Sequence, residues 1–488
     1  MNLAAYRNYK TTEAPWLGDV PSHWEVRRLR TVLRLRNEKN SPVKTEQILS
    51  LSIAHGVTLY SHEGRGGNKR KGDITAYKIA HAGDIVLNSM NVIVGAVGLS
   101  RYTGAISPVY YALFPATDEV DIKYYDKVFG NPAFQRYLLI YGKGILIKKS
   151  NTGKLNTIRM KISPDDLKGT LLPIPPKDEQ QQIARLLDWK TAQINKFIRN
   201  KRRLIELLKE QKQNVINQAV TRGLDPKVNF KPSGVEWIGD IPEHWEVRRI
   251  RACIESYVAG IWGEEPEARN SDEHIVCIRV ADFDMRNLSI SQANLTIRAI
   301  PQNAQKTRLL KAGDILMEKS GGGDAEPVGR VVYFDVNFAA VTSNFVTRLR
   351  PDLCVIKPRF LLFVLANLQA IRRNMPSIKQ TTGIQNLDER HYLSNYLGLP
   401  TLAEQESIVE YIDKKCAEID QAIIRAQREI ELMREYRTRL ISDVVTGQVD
   451  VRGIEVPEVA EEELLALEED TADANDVIDD EGDMDETD

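Results

Sequence analysis

Cysteine is scarce in this chain. There are four in 488 residues (Cys253, Cys277, Cys354 and Cys416), far apart and with no CxxC pair. That spacing argues against a disulfide framework and a cysteine-based zinc site, and it suits a reducing cytoplasm, the expected compartment. The seven histidines show no metal-ligand clustering, so no metal is expected on the chain. No GxxxxGK[ST] loop occurs, so no nucleotide-driven motor is encoded here. No apolar run reaches the roughly 18 residues needed to cross a bilayer. The N-terminus lacks the basic, apolar, small-residue order of a signal peptide.

Two short stretches imitate catalytic motifs without completing them. Asn131–Phe134 reads NPAF, close to the NPP[YF] of adenine methyltransferases, but the second proline is missing. No glycine-rich cofactor motif precedes it, and it reads as a helix start with Phe134 in the core. PDDLK at Pro164–Lys168 shows no separate acidic partner of the kind a nuclease site needs. No catalytic residue is expected.

The net charge of −2 hides a division. From Glu455 to Asp488 there are 17 acids and no Lys or Arg, which leaves 66 − 51 = +15 for residues 1–454. A basic body suggests a polyanionic partner, although Lys and Arg also solvate helix faces. The acidic end has few aromatics and high charge, the composition of a disordered segment. Within it, ELLALEE (463–469) has the pattern of a short helix, and the whole segment is a potential competitor for the basic body.

What the chain has in abundance is self-similarity. Trp16–Arg30 reads WLGDVPSHWEVRRLR and Trp237–Arg251 reads WIGDIPEHWEVRRIR, with eleven of fifteen positions identical. Such repeats are read first, because they decide the fold. After each phrase comes a poorly matched stretch of short β-like runs, each holding an AGDI phrase (Ala82–Ile85 and Ala312–Ile315) that predicts a turn into a strand. The halves then converge on PIPPKDEQQQIARLLDWK and PTLAEQESIVEYIDKK. Glu179 aligns with Glu404, Asp188 with Asp413, Ile194 with Ile419 and Thr221 with Thr446.

Heptad spacing predicts a long helix in each half. The first seam is Ile183, Leu187, Ile194, Phe197, Leu204, Leu208 and Val215. The second is Ile408, Ile412, Ile419, Ala426, Met433, Leu440 and Val444. Gly223 is a natural C-terminal cap, and Thr401 with Glu404 reads as a capping box. About 40 residues give roughly 60 Å of helix. Two seams of equal length bury each other best as an antiparallel pair; two separate coiled-coil arms are the alternative.

The expected fold is therefore α+β: two pseudo-repeated globular heads joined by two long antiparallel coiled-coil helices. The boundaries are 1–174 for the first head, 175–223 for its helix, 224–399 for the second head, 400–450 for its helix and 451–488 for the acidic tail. The tryptophans and proline of the repeated phrase should anchor head to helix. Arg27, Arg28, Arg30 and their copies Arg248, Arg249 and Arg251 are expected to pack rather than touch phosphate.

The doubled W-[LI]-G-D-[VI]-P-x-H-W-E-V-R-R phrase, the doubled EQ helix and the two AGDI phrases resemble the specificity subunit of type I restriction–modification systems, over residues 14 to 450. The resemblance implies a non-catalytic chain whose heads are target recognition domains, each reading half of an asymmetric, split site in double-stranded DNA. It implies two methyltransferase subunits as partners, carrying S-adenosylmethionine, and through them restriction subunits that use ATP and Mg. The complex, not this chain, would be the adenine methyltransferase and endonuclease. A two-headed scaffold that binds protein is the alternative.

Base readout needs side chains that reach base edges from a surface held by phosphate contacts. In the first head, GRGGNKRKGD (64–73) offers Arg65, Asn68, Lys69, Arg70 and Lys71. GKGILIKKSNTGKLN (142–156) offers Lys148, Lys149, Ser150, Asn151, Thr152 and Lys154. In the second head, SIKQTTGIQNLD (377–388) offers Lys379, Gln380, Thr381, Thr382 and Asn386, sharing a T-G with its counterpart. EKSGGGDAEPVGR (318–330) offers Lys319, Ser320 and Arg330, though its acids would repel phosphate. Each of these stretches also reads as a solvated loop.

Overall fold

A computed structural model describes residues 4–53, 55–60, 73–90, 95–143, 147–149, 155–158, 161–267, 273–323, 326–381 and 384–457. Two compact units result. Unit one takes the chain up to Arg203 and from Ala426 onward; unit two is Leu204–Arg425. The boundary falls inside both long helices, Lys177–Arg222 and Leu402–Val445, and not at the head–helix junctions. Each unit thus owns a head, the start of one helix and the end of the other.

Each head is built on a four-stranded antiparallel sheet. In unit one the spatial order is Leu33–Leu35, Tyr110–Pro115, Ile85–Asn88, Val97–Leu99. In unit two it is Ile254–Ala259, Val346–Pro351, Ile315–Glu318, Val331–Tyr333. The strands occur in the same relative order, although the sequences hardly match. Unit two adds a three-stranded sheet in which His274–Ile278 lies between Thr296–Ala299 and, in parallel, Ala340–Thr342.

The AGDI phrases do one job in both sheets. Gly83 (φ +91°) and Gly313 (φ +96°) supply the left-handed residue of the turn, and Ile85 and Ile315 begin the strands. The aspartates are buried, and each meets a guanidinium. Arg36 bonds Asp84 at 2.6 and 2.8 Å, and Arg350 bonds Asp314 at 2.7 and 2.7 Å. A buried carboxylate is tolerable only with such partners.

The repeated phrase closes each head. Glu25–Arg28 pairs with Leu171–Ile174, and Glu246–Arg249 with Tyr396–Leu399, immediately before each long helix. Trp24 and Trp245 are fully buried. Trp24 Nε1 donates to Glu179 Oε1 at 3.0 Å while His23 Nε2 lies 2.9 Å from Glu179 Oε2. The copy is faithful: Trp245 Nε1 donates to Glu404 at 2.9 Å and His244 lies 3.0 Å from it. The next residue completes the clamp. Gln180 accepts from Asp121 N (2.8 Å) and donates to Pro175 O (2.9 Å); Gln405 accepts from Lys357 N (2.7 Å) and donates to Pro400 O (3.0 Å).

Three expectations change here. Glu404 N does reach Thr401 Oγ1 at 3.4 Å, but the Glu404 carboxylate serves Trp245 and His244, so the capping box is not reciprocal. Arg27, Arg28, Arg30, Arg248, Arg249 and Arg251 are exposed rather than packed against the helices, because the strands Glu25–Arg28 and Glu246–Arg249 are open to solvent on both faces at these positions and the last arginine of each set lies in the turn after the strand. The first helix's seam also departs from the heptads drawn on it. After Ile194 the buried apolar positions are Ile198, Ile205, Ile216, Ala219 and Val220, while Leu204 is 40% exposed. An α-helix turns once per 3.6 residues, so a 3.5-residue stripe drifts around it. The second seam holds at Ile408, Ile412, Ile419, Ala426, Leu440 and Val444, which are buried, while Met433 is only half-buried.

Within unit one the helix segments run antiparallel: Arg437 donates to Asn195 (2.9 Å) and Lys201 pairs with Glu429. In unit two Lys212 Nζ bonds Asp420 at 2.8 Å. NPAF is a helix start as expected, with Asn131 capping Pro132–Leu138 and Phe134 buried, and PDDLK is the start of the short helix Pro164–Gly169. Residues 451–457 are not part of a free tail, since Val451 is buried and Ile454 and Val456 pack on the core of unit one.

Glu404→Ala would strand a buried indole N–H and a ring nitrogen. The expected cost is about 1–3 kcal/mol, read as a lower denaturant midpoint. Glu404→Asp, which restores the charge but not the reach, should recover only part of it.

Candidate nucleic-acid interface

In unit two the structure gathers candidates from two separate stretches onto one small sheet. Ile384–Leu387 is its central strand, flanked antiparallel by Ser320–Gly321 and Ile378–Thr381. In register, Ser320 opposes Asn386 and Asn386 opposes Lys379, so these three form one row. Gln380 opposes Gln385 in the next row. Lys319 flanks the sheet, its carbonyl accepting from Leu387 N at 2.8 Å and its N–H donating to Phe345 O at 2.8 Å. Lys379 and Gln380 are exposed.

The turn that brings Ser320 to this sheet requires glycine. Gly321 and Gly322 have φ of +123° and +58°, and a Cβ on Gly322 would sit 2.8 Å from Val328 N. The glycine run here folds the loop back on itself, a requirement of the turn and not of any ligand.

Not every candidate in the row is free. Ser320 Oγ donates to Asn386 Oδ1, and Ser320 is buried. Lys379 Nζ lies 2.8 Å from Asp388 and holds that carboxyl below its usual range, assisted by His391 N–H. Arg330 stands apart from the row. Its Nε and Nη2 grip Glu318 at 2.8 and 3.0 Å, and Glu318 is 1% exposed. That fork satisfies a buried carboxylate, and the guanidinium is committed to it.

In unit one the corresponding hairpin pairs Ile147–Lys149 with Leu155–Ile158, which puts Lys148 and Lys149 on its first strand. Both hairpins precede a short helix (Pro164–Gly169 and Glu389–Tyr392) and then the strand that pairs with the repeated phrase, Leu171–Ile174 or Tyr396–Leu399. The two strand pairs therefore hold the same place in the two heads. Ser150, Asn151, Thr152, Lys154, Thr382 and the whole set Arg65, Asn68, Lys69, Arg70 and Lys71 lie outside the described residues, and of Thr381 only the backbone is described.

One neighbour of the row carried no sequence signal. Phe345 shows an aromatic ring that is 45% exposed beside Lys319. It lies within TSNFVTRL, where alternation alone gives no hint of an outward ring. Among the described residues, no group of three or more His, Cys, Asp or Glu side chains could hold a metal. No helix among them is long and apolar enough to cross a membrane.

A duplicated α+β head, closed by a Glu-Gln clamp on a long helix and carrying a polar hairpin at the same place in each copy, defines a class. The family model for the "Type I restriction modification DNA specificity domain" matches residues 242–431. Over 91% of this chain and 97% of its own length, the putative type I restriction enzyme MjaX specificity subunit of Methanocaldococcus jannaschii is 23% identical. The EcoBI specificity subunit of Escherichia coli is 25% identical over 59% of this chain and 60% of its own. A chain from a solved type I restriction–modification system, described for complex assembly and conformational transition, shares the fold. Its TM-score is 0.62 at 14% identity, covering 87% of this chain and 98% of that one. Residues 242–431 thus match a type I restriction modification DNA specificity domain, and nearly the whole chain is similar to the specificity subunits of type I restriction–modification systems.

Arg330→Ala should act on stability. Leaving Glu318 buried and unpaired costs about 3–5 kcal/mol, read in a denaturant titration. A variant that instead kept its stability and lost DNA affinity would place Arg330 on phosphate.

Proposed function

We propose that each unit reads one half of an asymmetric, split site in double-stranded DNA. The observation that carries this reading is that the two heads share one frame while their polar hairpins differ. KKSNTGKLN in one and KQTTGIQNL in the other sit at the same step of the same fold. Equal frames with unequal reading surfaces suit unequal half-sites. The long helices, 46 and 44 residues, are about 69 and 66 Å long at about 1.5 Å per residue, enough to carry docking surfaces beside the heads. Two methyltransferase subunits holding S-adenosylmethionine would dock there. Through them would come restriction subunits using ATP and Mg. Adenine is the expected methylation target and the cytoplasm the expected compartment.

Lys319, Lys379, Gln380 and Asn386 are the described side chains we assign to the interface of unit two. Lys148 and Lys149 are assigned by position in unit one, with the loop residues Ser150, Asn151, Thr152 and Lys154. Arg65, Asn68, Lys69, Arg70 and Lys71 belong to the same proposal. Of the second head's remaining candidates, Thr381 and Thr382 stay with the hairpin, Ser320 acts by orienting Asn386, and Arg330 by holding Glu318.

The test is a map of modified bases in DNA from cells carrying the methyltransferase subunit, with and without this gene. A split motif that depends on the gene supports the reading. Exchanging residues 14–170 for those of a relative should then change one half-site only. Methylation that ignores this gene would leave a scaffold that binds protein. For purified complex, Lys379→Ala should weaken binding to all sequences alike and flatten the log–log salt slope by about one.

A further inference from the structure

The duplication exposes a difference that the shared fold does not require. In unit two, Asn367 lies ten residues after Lys357, whose N–H the clamp glutamine binds. Asn367 is fully buried and locked by two amides of the long helix. Gln213 Nε2 donates to its Oδ1 at 2.9 Å, and its Nδ2 donates to Asn217 Oδ1 at 3.0 Å. In unit one the equivalent of Asn367 is Asn131, ten residues after Asp121, whose N–H meets the other clamp glutamine. The helix alignment puts Thr438 and Ser442 where unit two has Gln213 and Asn217.

These shorter side chains do not reach. Asn131 is 0% exposed, its Oδ1 caps Ala133 N at 2.8 Å, and its Nδ2 has no partner. An orphaned buried donor costs about 1–3 kcal/mol, so its persistence asks for a reason. Where unit two is filled, unit one has an open groove of ≈ 510 Å³ between Asn131–Arg136 and the last turns of the second long helix. Arg136, Arg434 and Arg439 line it with Thr438 and Ser442; Glu435 and Asp443 also border it. Arg439 lies 3.4 Å from Asp443, whereas the Arg136 and Arg434 side chains have no partner among the described residues. Arg437, one turn from Arg434, is pushed below the usual guanidinium range, first by burial and then by Arg434.

The chain itself holds matching chemistry close by. Beyond Pro457, residues 458–488 carry 16 acids and no Lys or Arg. Their root is fixed on this unit: Val451 is buried and Gln182 donates to Ile454 O. Thirty-one residues reach at most about 105 Å extended. A tethered segment meets a site on its own unit at millimolar effective concentration.

We propose that the groove between Asn131–Arg136 and Arg434–Asp443 binds the carboxylates of this chain's own acidic end, residues 458–488. Arg136 and Arg434 take the charge, and Thr438 and Ser442 leave the room that Gln213 and Asn217 fill in the other unit. The assignment is independent of what the heads read.

The experiment uses the full chain with Arg434→Lys, which keeps the charge and adds an amine. A zero-length carbodiimide cross-link is read by peptide mass spectrometry, with mixed heavy and light protein to separate links within a chain from links between chains. The expected product joins position 434 to an acid in 458–488 of the same chain. Adding Thr438→Gln and Ser442→Asn, side chains the other unit already packs, should lower its yield at least about tenfold. Arg136→Glu should do likewise, so a fold defect in one variant does not decide the matter. Links from 458–488 only to lysines elsewhere would overturn the proposal, as would a yield untouched by the filling pair. A DNA duplex that shields Arg434 and Arg439 from arginine reagents in a chain showing no such link would give the groove to phosphate instead.

Discussion

The structure depends on a carboxylate at the start of each long helix. Glu179 and Glu404 are each the third residue of their helix, where exposed backbone N–H groups favour negative charge. Each also accepts from an indole and lies against an imidazole of the repeated phrase. The same tryptophan ring meets the end of the other helix. A Cβ on Gly447 would sit 3.1 Å from Trp24, and one on Gly223 would sit 3.2 Å from Trp245. Both glycines are left-handed, with φ of +77° and +72°, as a helix C-terminus in tight contact requires. One buried ring therefore joins a helix start, a helix end and the closing strand of a head. Glu179 is buried and Glu404 half-buried, which is favourable only because their partners are present.

This arrangement makes unit one a closed version of unit two. In unit two the chain runs on from Gly223 through Phe230–Pro232 into the second phrase. In unit one the same place is met by opposite ends of the chain. Asp450 N donates to Ala4 O at 2.8 Å, Tyr9 OH donates to Gly447 O at 3.1 Å, and Gln448 donates to Asp19 O at 2.9 Å. Hydrogen bonds replace the covalent link, and the strand pair Tyr9–Thr11 with Asp19–Pro21 repeats Phe230–Pro232 with Asp240–Pro242. That is why residues 451–457 belong to a packed core although composition alone assigns them to the acidic end.

Legibility followed the range of the contact. The AGDI turns, the NPAF cap and the second helix's periodicity are set by neighbours within a turn or two, and local pattern exposed them; the tryptophans showed through the repeat, although their carboxylate partners lie far along the chain. The partners of the AGDI aspartates were not legible. Arg36 follows the strand Leu33–Leu35, whereas Arg350 sits on Val346–Pro351, so the guanidinium arrives from different strands in the two halves. No alignment of the halves could pair them. The row Ser320–Asn386–Lys379 was hidden for a related reason, since strands more than fifty residues apart meet in it. Arg330 was read as a cation near phosphate because sequence shows charge without showing whether a buried acid already holds it. Residues 198 and 205 replaced 197 and 204 in the first seam because a one-residue slip leaves the composition of both stripes apolar.

Duplication and divergence divide along physical lines. Several positions that satisfy buried polar groups recur in both halves, Glu179 and Glu404, Gln180 and Gln405, Trp24 and Trp245, Asp84 and Asp314, although the arginines that meet the two aspartates do not. Each would leave a desolvated donor or acceptor if changed alone, a cost that a marginally stable domain cannot absorb cheaply. Lys379 and Gln380 are exposed and carry no such debt, so this strand can differ from its counterpart in the other head without disturbing the frame. Asn131 breaks the division. It is a buried polar group in the frame, yet it lost the amides that its counterpart Asn367 keeps, and its Nδ2 is left unpaired. A position that departs from the frame's own rule, and opens a groove edged by two arginines without a partner among the described residues, is where selection for something other than folding is most visible.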